Sequence, residues 1–72
     1  MRNIDTAATG MNIWNMRTQR GISVRQIQDR CGFSGPNAVY KWQNGECLPT
    51  VANLVVLSEM FGVKMDDIIV VR

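Results

Sequence analysis

The stretch Ser23–Asn44, SVRQIQDRCGFSGPNAVYKWQN, decides how this chain folds. Ser23 is followed three residues later by Gln26. In that pairing the serine hydroxyl takes a backbone N–H inside the helix, and the glutamine side chain takes the N–H of the serine. Val24, Ile27 and Cys31 then recur at i, i+3 and i+7, the spacing of one apolar helix face. Gly32 supplies the stop. A second helix is expected from Pro36, because proline is favoured at the first helical position, where its missing N–H would be unpaired anyway. Ser34 or Gly35 would be its cap. At about 100° per residue, Ala38, Val39, Trp42 and Gln43 fall on one side and Asn37, Tyr40, Lys41 and Asn44 on the other. Asn44-Gly45 ends the helix.

A helix, a short glycine-containing turn (here Gly32-Phe33-Ser34-Gly35) and a second helix form a helix-turn-helix unit. In such a unit the first helix braces against a duplex backbone and the second enters the major groove, which is wide enough to admit one helix. The second helix therefore needs apolar anchors inside and polar side chains outside. Val39 and Trp42 against Asn37, Tyr40, Lys41 and Asn44 meet that need.

Outward from this unit, turn signals at Gly21, Asn44-Gly45, Leu48-Pro49 and Gly62 cut the chain into helix-sized pieces. The first runs from Asp5 or Thr6 to Arg20, with Asp5, Thr6 or Thr9 as cap and Ile13, Met16 and Arg20 on one stripe. Gly10 weakens its first turn. Trp14 falls off the stripe and is expected to cover the N-terminal segment, the alternative being an exposed contact patch. A fourth helix starts after the cap Thr50, with Val51 near its first position and Leu54, Leu57, Ser58 and Phe61 inward. The last piece begins near Met65, where Asp66 and Asp67 suit a helix start. Ile68 and Ile69 should close the core. The expected fold is all-α: one domain over residues 1–72, a compact bundle of about five short helices around a central helix-turn-helix at about 23–44.

Composition narrows the function. An apolar fraction of 46% supports a core. No apolar run approaches the ~20 residues of a membrane span, and the N-terminus lacks the apolar core of a secretory signal. A complete cytoplasmic protein is expected. Histidine is absent, and two cysteines cannot close a tetrahedral zinc site. Both thiols should be reduced, with Cys31 in the core and Cys47 in a loop. No nucleophile has an obvious base, and there is no phosphate-binding glycine loop. We therefore expect no enzyme, cofactor, metal or small-molecule substrate. Net charge is only +2, but it is unevenly spread. Residues 11–45 carry Arg17, Arg20, Arg25, Arg30 and Lys41 against Asp29 alone, whereas residues 46–72 are net acidic. One basic face can attract a polyanion despite a small total charge.

From Ile13 to Ile69 the sequence resembles the lambda-repressor-like, Cro-type (XRE) helix-turn-helix family. The resemblance rests on Ile13, Met16-Arg17, Arg20-Gly21-Ile22-Ser23, Ile27, Gly32-Phe33-Ser34, Val39, Lys41-Trp42, Asn44-Gly45, Leu48-Pro49, Leu54, Leu57, Phe61-Gly62-Val63 and Asp67-Ile68, kept in one register. It implies sequence-specific binding of double-stranded DNA and repressor-like regulation of transcription. It places Pro36, Asn37 and Ala38 at base edges, Lys41 on a base or phosphate, and Asn44 and Arg17 on phosphates. Ser34 and Tyr40 could reach phosphate through their hydroxyls, and Arg25 sits near the start of the bracing helix. Three positions depart from the pattern. Val24 stands where Gln often grips the backbone, the turn is one residue longer, and Gln43 replaces a Glu that orients the helix-one arginine.

A homodimer is expected, paired through the tail Ile68–Val71 and the fourth helix, to read half-sites about one helical turn apart. The rival is a protein-interaction module or antitoxin-like partner protein that keeps the fold with weak DNA affinity. A redox switch through Cys31 and Cys47 is a third reading.

Overall fold

A computed structural model describes residues 3–72. It contains five helices: α1 (Thr6–Gln19), α2 (Val24–Cys31), α3 (Asn37–Gln43), α4 (Val51–Phe61) and α5 (Met65–Ile68). Among the described residues the only β feature is an isolated antiparallel bridge between Ile4 and Val71.

The caps of α2 and α4 form where the sequence placed them, and of the three residues offered for α1 it is Asp5 that serves. The Asp5 carboxylate accepts from the Ala8 N–H at 3.0 Å and starts α1. Ser23 and Gln26 make both bonds of the reciprocal cap, at 3.1 and 2.7 Å. Thr50 caps α4 through the Asn53 N–H. Gly32 and Gly62 end α2 and α4 at φ of 77° and 70°, where a side chain would be strained. The start of α3 differs from expectation. Pro36 is itself the cap residue, and no side chain caps this end. Its φ of −87° and ψ of −2° turn the chain, so the helix starts one residue later and Ser34 and Gly35 belong wholly to the turn.

Every helix contributes to the core. Ile13 comes from α1, Ile27 from α2, Val39 and Trp42 from α3, Leu54, Leu57 and Phe61 from α4, and Ile68 from α5. Phe33, from the turn, meets Trp42 edge-on with ring centroids 5.7 Å apart. Arg20 follows the same stripe of α1 to α4, where its Nε donates to the Phe61 carbonyl at 2.8 Å.

The four residues of α5 are far fewer than the ~12–15 that make an isolated helix marginally stable. The fully buried Ile68 holds it, together with Asp67, which accepts from the Lys64 N–H. Beyond Ile68 the chain is extended, and α1 captures it. Thr9 Oγ1 accepts from the Val70 N–H at 3.0 Å, and Asn12 Nδ2 donates to the Ile68 carbonyl at 3.1 Å. This corrects the expected pairing surface. Ile68 lies in the core with Ile69 packed against it, so most of the apolar tail is spent within the chain. Trp14 also departs from expectation. It stays 50% exposed, because one residue beyond the buried Ile13 its side chain is carried about 100° round the helix, away from the core.

Candidate nucleic-acid interface

The position of α3 depends on two glycines. A Cβ on Gly10 would collide with the Trp42 carbonyl and stand 2.9 Å from that of Gln43. A Cβ on Gly45 would stand 2.9 Å from the Ala7 Cα. The carboxyl end of α3 is thus pressed directly onto the backbone of α1. With Val39 and Trp42 buried beneath it, the helix is fixed from below and from its end.

Its other face is open. Asn37, Tyr40, Lys41 and Asn44 are all exposed in one strip, which Ser34 and Pro36 extend into the turn. Phe33, Ser34, Gly35, Asn37 and Ala38 line a shallow cleft at the amino end of the strip. No acidic residue occurs from Cys31 to Gly45, so the only formal charge on the strip is Lys41. At the carboxyl end the backbone bonds are closed, with the Asn44 N–H on the Tyr40 carbonyl at 2.9 Å and the Glu46 N–H on the Lys41 carbonyl at 2.9 Å. The Asn44 side chain makes no hydrogen bond among the described residues.

Arg17 is set beside this strip by two bonds. Its Nε donates to Gln43 Oε1 at 2.8 Å and its Nη1 to the Ile22 carbonyl at 3.0 Å. The amide of Gln43 therefore orients the helix-one arginine through its carbonyl oxygen, and unlike a carboxylate it does not neutralise the guanidinium. Arg25 is not gathered with the others. It is exposed on α2 and paired at 3.2 Å with Asp29, four residues on.

Seven of the eight candidate positions, Arg17, Ser34, Pro36, Asn37, Tyr40, Lys41 and Asn44, thus lie on or beside α3, and Arg25 lies apart. Sequence reasoning read Gly10 as a weakness in α1 and missed that it admits α3. Its clue was the cost itself, since a glycine inside a helix loses about 1 kcal/mol relative to alanine unless close packing requires it.

The helix-turn-helix family model matches residues 15–68, from the later part of α1 to the end of α5. The chain belongs to the helix-turn-helix family. Within it, this helix-turn-helix protein is of the XRE type. No curated protein matches its sequence. Among solved structures it is similar to the restriction-modification controller protein C.AhdI from Aeromonas hydrophila, with 17% identity, a TM-score of 0.77, and 89% of this chain and 96% of that one covered. It is similar to the clp gene regulator ClgR from C. glutamicum, with 17% identity, a TM-score of 0.74, and 92% and 84% covered. The DNA-binding domain of BldD from S. venezulae has 21% identity, a TM-score of 0.72, and 92% and 97% covered. These likenesses establish the fold of the helix-turn-helix protein over nearly its whole length.

Proposed function

We infer that this helix-turn-helix protein is a sequence-specific, double-stranded DNA-binding regulator of transcription, with α3 laid in the major groove. The observation that carries the reading is the two-sided character of α3. Val39 and Trp42 are buried, while every outward side chain is polar and none is acidic. With its side chains an α-helix is about 10–12 Å across, which a groove ~12 Å wide accepts. The solved structures named above include a DNA-binding domain, a gene regulator and a restriction-modification controller protein, which supports the same reading.

In this arrangement Asn37 reads a base edge near the start of α3, with adenine its best bidentate partner, and Pro36 and Ala38 shape the approach. Lys41 takes guanine O6 and N7 or a phosphate. Ser34, Tyr40, Asn44 and Arg17 hold phosphates and fix the register, and Arg25 adds attraction at the rim. The protein acts in the cytoplasm as a repressor-like homodimer, without catalysis or cofactor. Val51 and Val55 on α4, with Met65, are exposed and provide apolar surface for pairing. Sedimentation showing only monomers at high concentration, with and without DNA, would reject the dimer.

Selection from random-sequence duplexes at rising salt tests the whole reading. Enrichment of a two-fold-symmetric site, with affinity falling steeply as salt rises, is the expected result. Absence of binding at low salt refutes it and leaves a protein-interaction module. The double substitution Asn37→Ala, Lys41→Ala should flatten the enriched site.

A further inference from the structure

Trp14 has no role in the fold or in the interface so far described. It is half exposed, while the other tryptophan, Trp42, is 3% exposed and belongs to the core. Its indole N–H makes no hydrogen bond among the described residues. Its surroundings suggest what it meets. Gly10, Trp14 and Arg17 stand at i, i+4 and i+7 on α1, one face of the helix. Both neighbours on that face touch the carboxyl end of α3. Gly10 lies against the Trp42 and Gln43 carbonyls, and Arg17 donates to Gln43 Oε1. Trp14 therefore stands between them along the helix axis, turned toward solvent on the flank next to the end of α3 that carries Lys41 and Asn44.

The charge of this flank favours one kind of partner. From Thr6 to Gln19 α1 has no acidic residue, and Arg17, one turn from Trp14, is basic. An anionic surface meeting Lys41, Asn44 and Arg17 would continue onto the indole. Resting on the DNA-binding reading above, we propose that Trp14 is a DNA backbone contact. Its indole N–H donates to a phosphate oxygen next to the one held by Arg17, and its ring packs on the adjoining deoxyribose. Such contacts fix position without reading sequence, and tryptophan has a single ring N–H donor to offer.

Trp42 is buried and Trp14 exposed, so fluorescence separates them. The full chain and its Trp14→Phe variant would be titrated at low salt with an end-labelled random-sequence duplex, with label anisotropy reporting binding and acrylamide quenching reporting access to tryptophan. Trp14→Phe isolates the signal of Trp42. In the free protein the difference in quenching between the two proteins belongs to Trp14. At saturation by anisotropy that difference should fall at least threefold. Trp14→Phe should bind the duplex about two- to fivefold more weakly, with an unchanged salt slope because no ion pair is lost. Arg17→Ala should lower that slope by about one. If anisotropy saturates while Trp14 stays as open to acrylamide as before, the inference is overturned and the DNA reading stands. If anisotropy never rises, the DNA reading fails and the inference falls with it.

Discussion

Asn37 and Lys41 lie one turn apart on the exposed side of α3, and neither side chain makes a hydrogen bond or ion pair among the described residues. Their polar groups are free for a ligand, and removing them costs the fold little. Asn37→Ala should therefore leave thermal stability within about 0.5 kcal/mol of the parent, as exposed substitutions do. It should cost about 1–3 kcal/mol in affinity for the selected site, and much less on unrelated duplex. Competition titration with the two DNAs checks this. The two cysteines differ in the same local way. Burial raises the pKa of the Cys31 thiol above its ordinary 9.0, an effect that Arg30 offsets in part. Cys47 is exposed and free. At pH 8 a thiol reagent should modify Cys47 well before Cys31, as peptide mapping would show. The sign of the stability effect follows. Folding holds the Cys31 proton more tightly than the unfolded chain does, so this contribution is intact below pH 9.0 and is lost as pH rises through the folded value. The outward set on α3 was legible in sequence because helical period alone sorts it. The partner of Arg17 needed the packing of α1 on α3, although the glutamine that orients it stands where the family pattern has a glutamate.

Helix boundaries were readable wherever a side chain or glycine enforces them. Ser23 with Gln26, Asp5, Thr50, Gly32 and Gly62 each hold the position that their chemistry predicts. Ser23→Ala should therefore cost about 1 kcal/mol, measured by urea denaturation, mostly through loss of the α2 cap. The start of α3 was less legible, because proline favours two neighbouring positions and no side chain chooses between them. Gly10 was misread for a different reason. Propensity is a local quantity, whereas the contact that requires glycine is made with carbonyls more than 30 residues away. Those carbonyls are backbone and cannot swing aside. Gly10→Ala should consequently destabilise the protein by more than about 2 kcal/mol despite alanine's better helix propensity, or force α3 off α1. A melting temperature about 10 °C lower, together with weakened DNA binding, is the expected outcome. An unchanged melting temperature would show that the two helices part without cost.

At the scale of the whole molecule, the segments before α1 and after α5 are tied together. The Asp5 N–H donates to the Val70 carbonyl at 2.8 Å, and the Arg72 N–H to the Asn3 carbonyl at 2.9 Å. A chain ending at Ile69 loses these bonds and the one from Val70 to Thr9, each of net worth about 1 kcal/mol. It should unfold in urea with about 3 kcal/mol less stability and with Thr9 newly exposed. The sequence did not announce this closure. Ile69, Val70 and Val71 read equally well as a pairing surface for another molecule, and the side chains that direct the segment inward are the hydroxyl of Thr9 and the amide of Asn12. The consequence reaches beyond stability. Thr9 and Asn12 occupy a different face of α1 from Gly10 and Arg17, so the junction of Asn3 with Arg72 stands clear of α3. The order in which the chain visits its helices is then separable from the shape it reaches. A circular permutant, with these two points linked and new ends opened at the exposed Glu46-Cys47 loop, should fold to the same five helices and present the same strip.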